Sequence, residues 1–227
     1  MHSIGKTLAL VLHAPKPMSY FRRSGMDGFA VVSAALMNEQ NGVEGMEQRI
    51  LPASANMKEF ERFLQSSYEI GVFLDMHIAQ LKNINMMAKQ RGKKMIYHVD
   101  LIHGIKNDEF ATEYICQEFK PYGLISTKAS VIQKAKQKGV IAVQRIFLID
   151  THAIEKSYKL IEKTRPDYIE VLPGAMPWMI TEIKDRFKTA IFAGGLIRTV
   201  EEVQAALEAG AAAITTSKRE LWDVYEK

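Results

Sequence analysis

The chain has 227 residues, of which 47% are hydrophobic and 25% charged, enough to bury one core as a single domain or two small ones and too evenly mixed for wholesale disorder. No apolar stretch reaches the roughly 18–20 residues of a membrane-crossing helix, and Cys116, the one cysteine, excludes an internal disulfide framework and thiolate zinc chemistry. The balance of 30 basic against 26 acidic residues gives +4, which permits a phosphate or nucleic-acid partner without demanding one.

Residues 1–45 show no sustained period: two short apolar runs, 7–14 and 29–37, are separated by Pro15, Pro17, Arg22, Arg23 and Gly25. This stretch reads as an irregular or disordered leader whose place in the native protein is open, with Met46 as an alternative start. Residues 46–227 form the second unit. Short β-rich runs begin near Ile50, Gly71, Lys94, Gly123, Val140, Tyr168, Ala190 and Ala213. A helical pattern follows each. Asn56 caps the first helix with Glu59 three residues on, and Phe60, Phe63 and Leu64 form its inner stripe. Ile78, Leu81, Ile84, Met87 and Ala88 line the second, which ends at Gly92. Asn107 opens the third, with Phe110, Ala111, Tyr114, Ile115 and Phe119 expected inward. Val131, Ile132 and Ala135 mark the fourth, stopped by Gly139. Thr151 begins the fifth, which ends before Pro166, and Pro177 suits the first turn of the sixth. Thr199 with Glu202, and Ser217 with Glu220, read as capping boxes of the seventh and eighth.

Eight strands alternating with eight helices, with starts about 23 residues apart, predict an α/β fold of the (β/α)₈ TIM-barrel type, compact and with short loops. The competing open doubly wound sheet lacks an early glycine-rich dinucleotide fingerprint.

Strands of a parallel barrel are covered on both faces and should read as unbroken apolar runs. Here the runs end polar: at Asp75 and His77, at His98 and Asp100, at Ser126, Thr127 and Lys128, at Gln144 and Arg145, and at Glu170. The C-terminal ends of barrel strands are where sites form. A ring of acids facing Lys128 and Arg145 implies mutual pairing or a polar ligand, because an unpaired buried carboxylate is costly. For any one residue, structural pairing weighs about as much as ligand contact. Gly194-Gly195 after the seventh strand and Thr215-Thr216-Ser217 after the eighth form a sharper signal. Glycine lets backbone N–H groups approach phosphate oxygens, a helix N-terminus favours an anion, and barrels often bind phosphate at these two loops. The six histidines are scattered without metal-ligand spacing, so no metal is expected. The basic clusters Lys89, Arg91, Lys93, Lys94 and Lys128, Lys134, Lys136, Lys138 read as solvated helix ends.

Several segments stand together in order: Ile-Leu-Pro-Ala (50–53), Leu-Asp-Met-His (74–77), His-Val-Asp-Leu-Ile-His-Gly-Ile-Lys (98–106), Gly-Leu-Ile-Ser-Thr-Lys (123–128), Gln-Arg-Ile-Phe-Leu-Ile-Asp (144–150), Tyr-Ile-Glu-Val-Leu-Pro-Gly (168–174), Phe-Ala-Gly-Gly-Leu-Ile-Arg-Thr (192–199) and Thr-Thr-Ser (215–217). From about Ile50 to Tyr225 the chain closely resembles the glycerol-3-phosphate-responsive antiterminators of bacterial glycerol uptake operons. The resemblance implies a barrel that binds glycerol 3-phosphate as effector, needs no cofactor, and acts without catalysis on leader mRNA of glycerol-metabolism genes in the cytoplasm. It implies phosphate binding at Gly194, Gly195, Thr216 and Ser217, and a polar mouth for the glycerol hydroxyls at Asp75, His98, Asp100, Lys128, Arg145 and Glu170. No membrane partner is expected, and a homo-oligomer stays open. The alternative is a barrel enzyme (isomerase, synthase or phosphodiesterase) acting on a small phosphorylated three-carbon substrate, with Asp75, His98 and Glu170 as acid and base.

Overall fold

A computed structural model of the chain describes residues 48–226; the expected leader, residues 1–45, lies outside the described residues. Within them the chain alternates strand and helix from end to end. The strands are β1 (Ile50–Ser54), β2 (Ile70–Phe73), β3 (Met76–His77), β4 (Lys94–His98), β5 (Ile102–His103), β6 (Gly123–Ser126), β7 (Ile141–Phe147), β8 (Tyr168–Leu172), β9 (Ala190–Gly194) and β10 (Ala213–Thr216). The helices are α1 (Met57–Gln65), α2 (Ile78–Gln90), α3 (Glu109–Phe119), α4 (Ala129–Gln137), α5 (Thr151–Thr164), α6 (Pro177–Phe187), α7 (Val200–Glu208) and α8 (Arg219–Tyr225). Eight strands close a parallel barrel in the order β1-β10-β9-β8-β7-β6-β4-β2, as the alternation predicts. Closure comes from Ile50 opposite Ile214 and Ala53 opposite Val72, which put β1 between the last strand and the second.

Period-two alternation along each strand divides the apolar residues between two cores. Leu51, Val72, Ile96, Ile125, Val143, Phe192 and Ala213 fill the barrel interior. Their neighbours Ile50, Met95, Tyr97, Leu124, Ala142, Ile191 and Ile214 face outward and pack under the helices with Phe60, Phe63, Leu81, Ile115, Ile132, Ile183 and Trp222. Both faces of the barrel strands are therefore covered along most of their length, which is why the runs read as nearly continuous apolar sequence. Tyr168 stacks on Phe192, with centroids 4.5 Å apart, and fills the interior toward the N-terminal ends of the strands.

The helix starts follow their caps. Asn56 accepts from the Glu59 N–H at 3.0 Å, while the Glu59 carboxylate accepts from the Ala55 N–H. Thr199 and Glu202 form the expected capping box, and Pro177 opens α6. Three details differ from the sequence reading. Asp108, not Asn107, caps α3. On that helix Phe110 is 74% and Tyr114 48% exposed. The buried stripe is Ala111, Thr112, Ile115, Cys116 and Phe119, so the inner face is turned about the helix axis toward Thr112 and Cys116 and away from Phe110 and Tyr114. The Ser217–Glu220 box does not form, because α8 begins one residue later, after Lys218, and no side chain caps it. Instead the Thr216 hydroxyl accepts from the Lys218 N–H, and the Trp222 indole donates to the Thr216 carbonyl at 2.7 Å.

One element was not foreseen. Beyond the rim, β3 and β5 pair as a separate two-stranded parallel sheet, Met76 opposite Ile102 and His77 opposite His103. It raises the wall above β2 and β4, diametrically across the barrel from β8 and β9.

Candidate functional site

The C-terminal ends of the barrel strands hold a layer of buried polar side chains. Arg145 on β7 and Glu170 on β8 are register partners, and the Arg145 Nε donates to Glu170 at 2.6 Å. The other Glu170 oxygen accepts from the Thr215 hydroxyl on β10 at 2.8 Å. Glu170 is 1% exposed, and its two oxygens thus bind strands on opposite sides of β8. Gly194 on β9 lies between them: a Cβ there would stand 2.4 Å from the Thr215 hydroxyl and 3.2 Å from Glu170. Glycine at this position is what allows Glu170 and Thr215 to meet across β9.

His98 completes the layer from β4. It is 2% exposed, and neither ring nitrogen has a hydrogen-bond partner among the described residues. Burial first, then the Arg145 cation, push its imidazole down to about 4, against the opposing pull of Glu170 and Asp100. At neutral pH the ring is therefore uncharged, one nitrogen a donor and the other an acceptor. Buried polar groups almost always have partners, so an imidazole with two open positions beside an Arg–Glu–Thr chain has the character of a ligand contact.

Above this layer lie the loops after β9 and β10, brought side by side because Thr215 pairs with Gly194. Gly195 (φ +72°) and Leu196 (φ +59°) both adopt the left-handed region, which costs a non-glycine residue such as Leu196 of order 1–3 kcal/mol. The Gly174 N–H donates to the carbonyls of Gly194 and Gly195 at 2.6 and 3.1 Å, which engages the carbonyls of this turn and leaves its amides. Among the described residues no hydrogen bond uses the N–H groups of Gly195, Leu196 or Ser217. Exposed, unpaired amides from adjacent loops are the elements of an anion cradle.

The residues named from sequence thus separate. His98, Arg145, Glu170 and Gly194 share one layer; Gly195 and Ser217 lie at its rim. Thr216 is 7% exposed and turns its hydroxyl to Lys218; its neighbour Thr215 is the residue that reaches Glu170. Asp100 sits beside the layer, but its carboxylate accepts from the Ser126 hydroxyl and from the Thr127 N–H and hydroxyl at 2.5–2.7 Å. Burial pushes this carboxyl up, yet those hydrogen bonds outweigh it and hold the group below its usual range. Asp75 is exposed and pairs with His103 at 2.8 Å, and Lys128 reaches Asn107; both stand on the rim, outside the buried layer. Alternation could have found Thr215, since Ala213 and Thr215 share the inward face. No group of three or more His, Cys, Asp or Glu suited to a metal occurs among the described residues.

The family model for glycerol-3-phosphate responsive antiterminators matches residues 50–222. The chain belongs to that family. A glycerol uptake operon antiterminator regulatory protein from Listeria monocytogenes has a solved structure that is 41% identical, superposes with a TM-score of 0.78, and covers 79% of this chain and 97% of its own. An antiterminator-related protein from Thermotoga maritima is 29% identical with a TM-score of 0.69, covering 78% and 99% respectively. The uncharacterized protein YgcP of Escherichia coli (strain K12) is 31% identical over 151 residues, 66% of this chain and 79% of that protein. Membership therefore rests on the whole barrel, and the buried layer and the loops after β9 and β10 fall inside the matched span. Family members are regulators of glycerol uptake operons by their descriptions, and no helix among the described residues is long and apolar enough to cross a membrane.

Proposed function

We propose that this chain binds glycerol 3-phosphate at the C-terminal end of its barrel and, so loaded, acts on leader mRNA as a transcription antiterminator without catalysing a reaction. The observation that carries the ligand reading is His98, a neutral buried imidazole with both nitrogens open. A vicinal diol offers a donor and an acceptor to such a ring. Arg145 and Glu170 fix the ring's surroundings, and the amides of Gly195, Leu196 and Ser217 lie above, where a phosphate joined to that diol by one carbon would reach. Arg198 lies just past the glycine turn and is exposed. The action on RNA rests on family membership, and it would operate by linkage: effector and RNA influence one another only as far as each distinguishes the states the other selects.

Thermal unfolding against glycerol, inorganic phosphate, glycerol 3-phosphate and dihydroxyacetone phosphate tests the ligand. Glycerol 3-phosphate at 100 times its Kd should stabilise the protein by about 2.7 kcal/mol, and His98→Phe should abolish the shift. Equal shifts with all phosphates, or a shift that survives His98→Phe, would sink the reading. A gel shift with leader RNA, with and without the effector, tests the linkage; equal affinity in both would remove it.

A further inference from the structure

The end of the barrel opposite this site carries a second feature. Between α2 and the N-terminal ends of β4, β6 and β7 lies a cavity of about 310 Å³, lined in part by Lys89, Lys93, Lys94, Lys120 and Tyr122. From sequence Lys89, Lys93 and Lys94 read as solvated helix ends, but the fold gathers them with Lys120 around one hollow. Lys89 donates to the Phe119 carbonyl at 3.0 Å, and Lys93 to the carbonyls of Ser66 and Tyr68 at 2.6 Å each. Carbonyls hold an ammonium in place without neutralising it, and each ammonium has three donors. Lys94 lies over the Tyr122 ring, 5.5 Å from its centroid. It alone of the four has a carboxylate within 4 Å among the described residues, Glu69 at 3.6 Å. Glu226, held at the Ser67 N–H, also acts on Lys93, so four ammonium groups against two carboxylates leave a local surplus of two charges in a chain whose total is +4. In the other basic cluster the ammonium groups turn to carboxylates of neighbouring elements instead of a common hollow: Lys134 and Lys138 share Glu113, and Lys136 faces Asp167, while Lys128 reaches Asn107.

We propose that this lysine-lined groove receives the sugar-phosphate backbone of the leader RNA, with Tyr122 at its floor. The proposal rests on the RNA reading given above and adds where the RNA sits. Two ammonium groups held by carbonyls, beside a third that lies over Tyr122, suit a polyanionic strand with stackable bases. A strand docked here leaves the effector's entrance clear, so both can be bound together. One element joins the two ends directly: β4 begins at Lys94 and finishes at His98, about 13 Å away at the usual rise per residue.

The test is leader-RNA binding by the full chain across a salt series. Lys94→Gln/Lys120→Gln should bind at least ten-fold more weakly at 0.1 M salt, with a slope of log K against log salt shallower by about 1.4 if two single-strand phosphate contacts are lost. Lys94→Arg/Lys120→Arg should restore affinity, and Lys156→Gln/Lys159→Gln, on exposed positions of α5, should change neither affinity nor slope. Thermal stabilisation by glycerol 3-phosphate should be unchanged in all three, which reports an intact barrel. Native affinity and slope in the glutamine pair, beside a native protein that binds RNA, would overturn the groove and leave the RNA reading standing. Arginine variants as weak as the glutamine ones would also overturn it. A native protein with no affinity for leader RNA at 50 mM salt would overturn both.

Discussion

His98 gives the protein a specific acid sensitivity. Its folded-state pKa, about 4, lies below the ordinary 6.5, so the unfolded chain binds the proton more readily between those values. Stability from this group is complete above pH 6.5 and declines as pH falls toward 4, by up to about 1.4 kcal/mol per pH unit where the two states differ by a full proton. Urea unfolding between pH 7 and 4.5 should show this decline, and His98→Gln should flatten it. Asp100 acts lower, below its ordinary 3.8, since its carboxylate is held ionised by Ser126 and Thr127. An equal slope in His98→Gln would show that some other group governs the window. Sequence placed His98, Arg145 and Glu170 together because inward alternation and strand ends are local properties. It could not tell that Asp100 is consumed by its neighbours or that Asp75 turns to His103, because those partners lie 26–28 residues away.

At the scale of elements, the loop after β9 uses its two glycines differently. Gly194 is needed for space, Gly195 for its positive φ. Gly194→Ala forces the new methyl against the Thr215 hydroxyl and Glu170, and should cost about 1–3 kcal/mol as an overpacked site does while separating the Glu170–Thr215 bond and weakening effector binding. Gly195→Ala meets only the Leu172 side chain, at 3.5 Å, so its cost is the left-handed backbone alone, about 1–2 kcal/mol. Denaturant unfolding with effector titration separates the two: comparable effector affinity in both variants would contradict the packing account. A Gly-Gly pair was visible in the sequence, but the division of labour was not, since it depends on what β8 and β10 place beside each residue. The cap of α8 was misread for a similar reason. The Ser-x-x-Glu pattern is present, but the strand-end bond from Lys218 to Thr216 moves the helix start past it.

For the whole molecule, closure makes the barrel one cooperative unit, because each strand is bonded on both sides and β1 joins the two ends of the sequence pattern. Cys116 reports on that unit. It is 6% exposed beneath α3, and burial pushes its thiol up to about 12, so neither access nor thiolate is available in the native state. Its reaction with a thiol reagent at pH 8 should be slow, should accelerate in urea in step with global unfolding, and should slow further with glycerol 3-phosphate. Fast native labelling would reveal a local opening of α3. The barrel itself was legible from eight regular repeats, because closure depends on the number and spacing of strands. The β3–β5 pair was not, since strands of two residues carry no period.

That small sheet has a consequence for handedness. It lifts one lip of the barrel across from Glu170 and Gly194, so a guest enters a hollow with a high side and a low side and no mirror plane relating them. With its anion under the glycine turn and its middle hydroxyl at His98, a triol phosphorylated at one end turns its remaining hydroxymethyl toward the lip in one enantiomer and away from it in the other. The two optical antipodes of glycerol phosphate should therefore differ in affinity, and shaving the lip at its exposed side by His103→Ala should narrow that difference more than it weakens the favoured form.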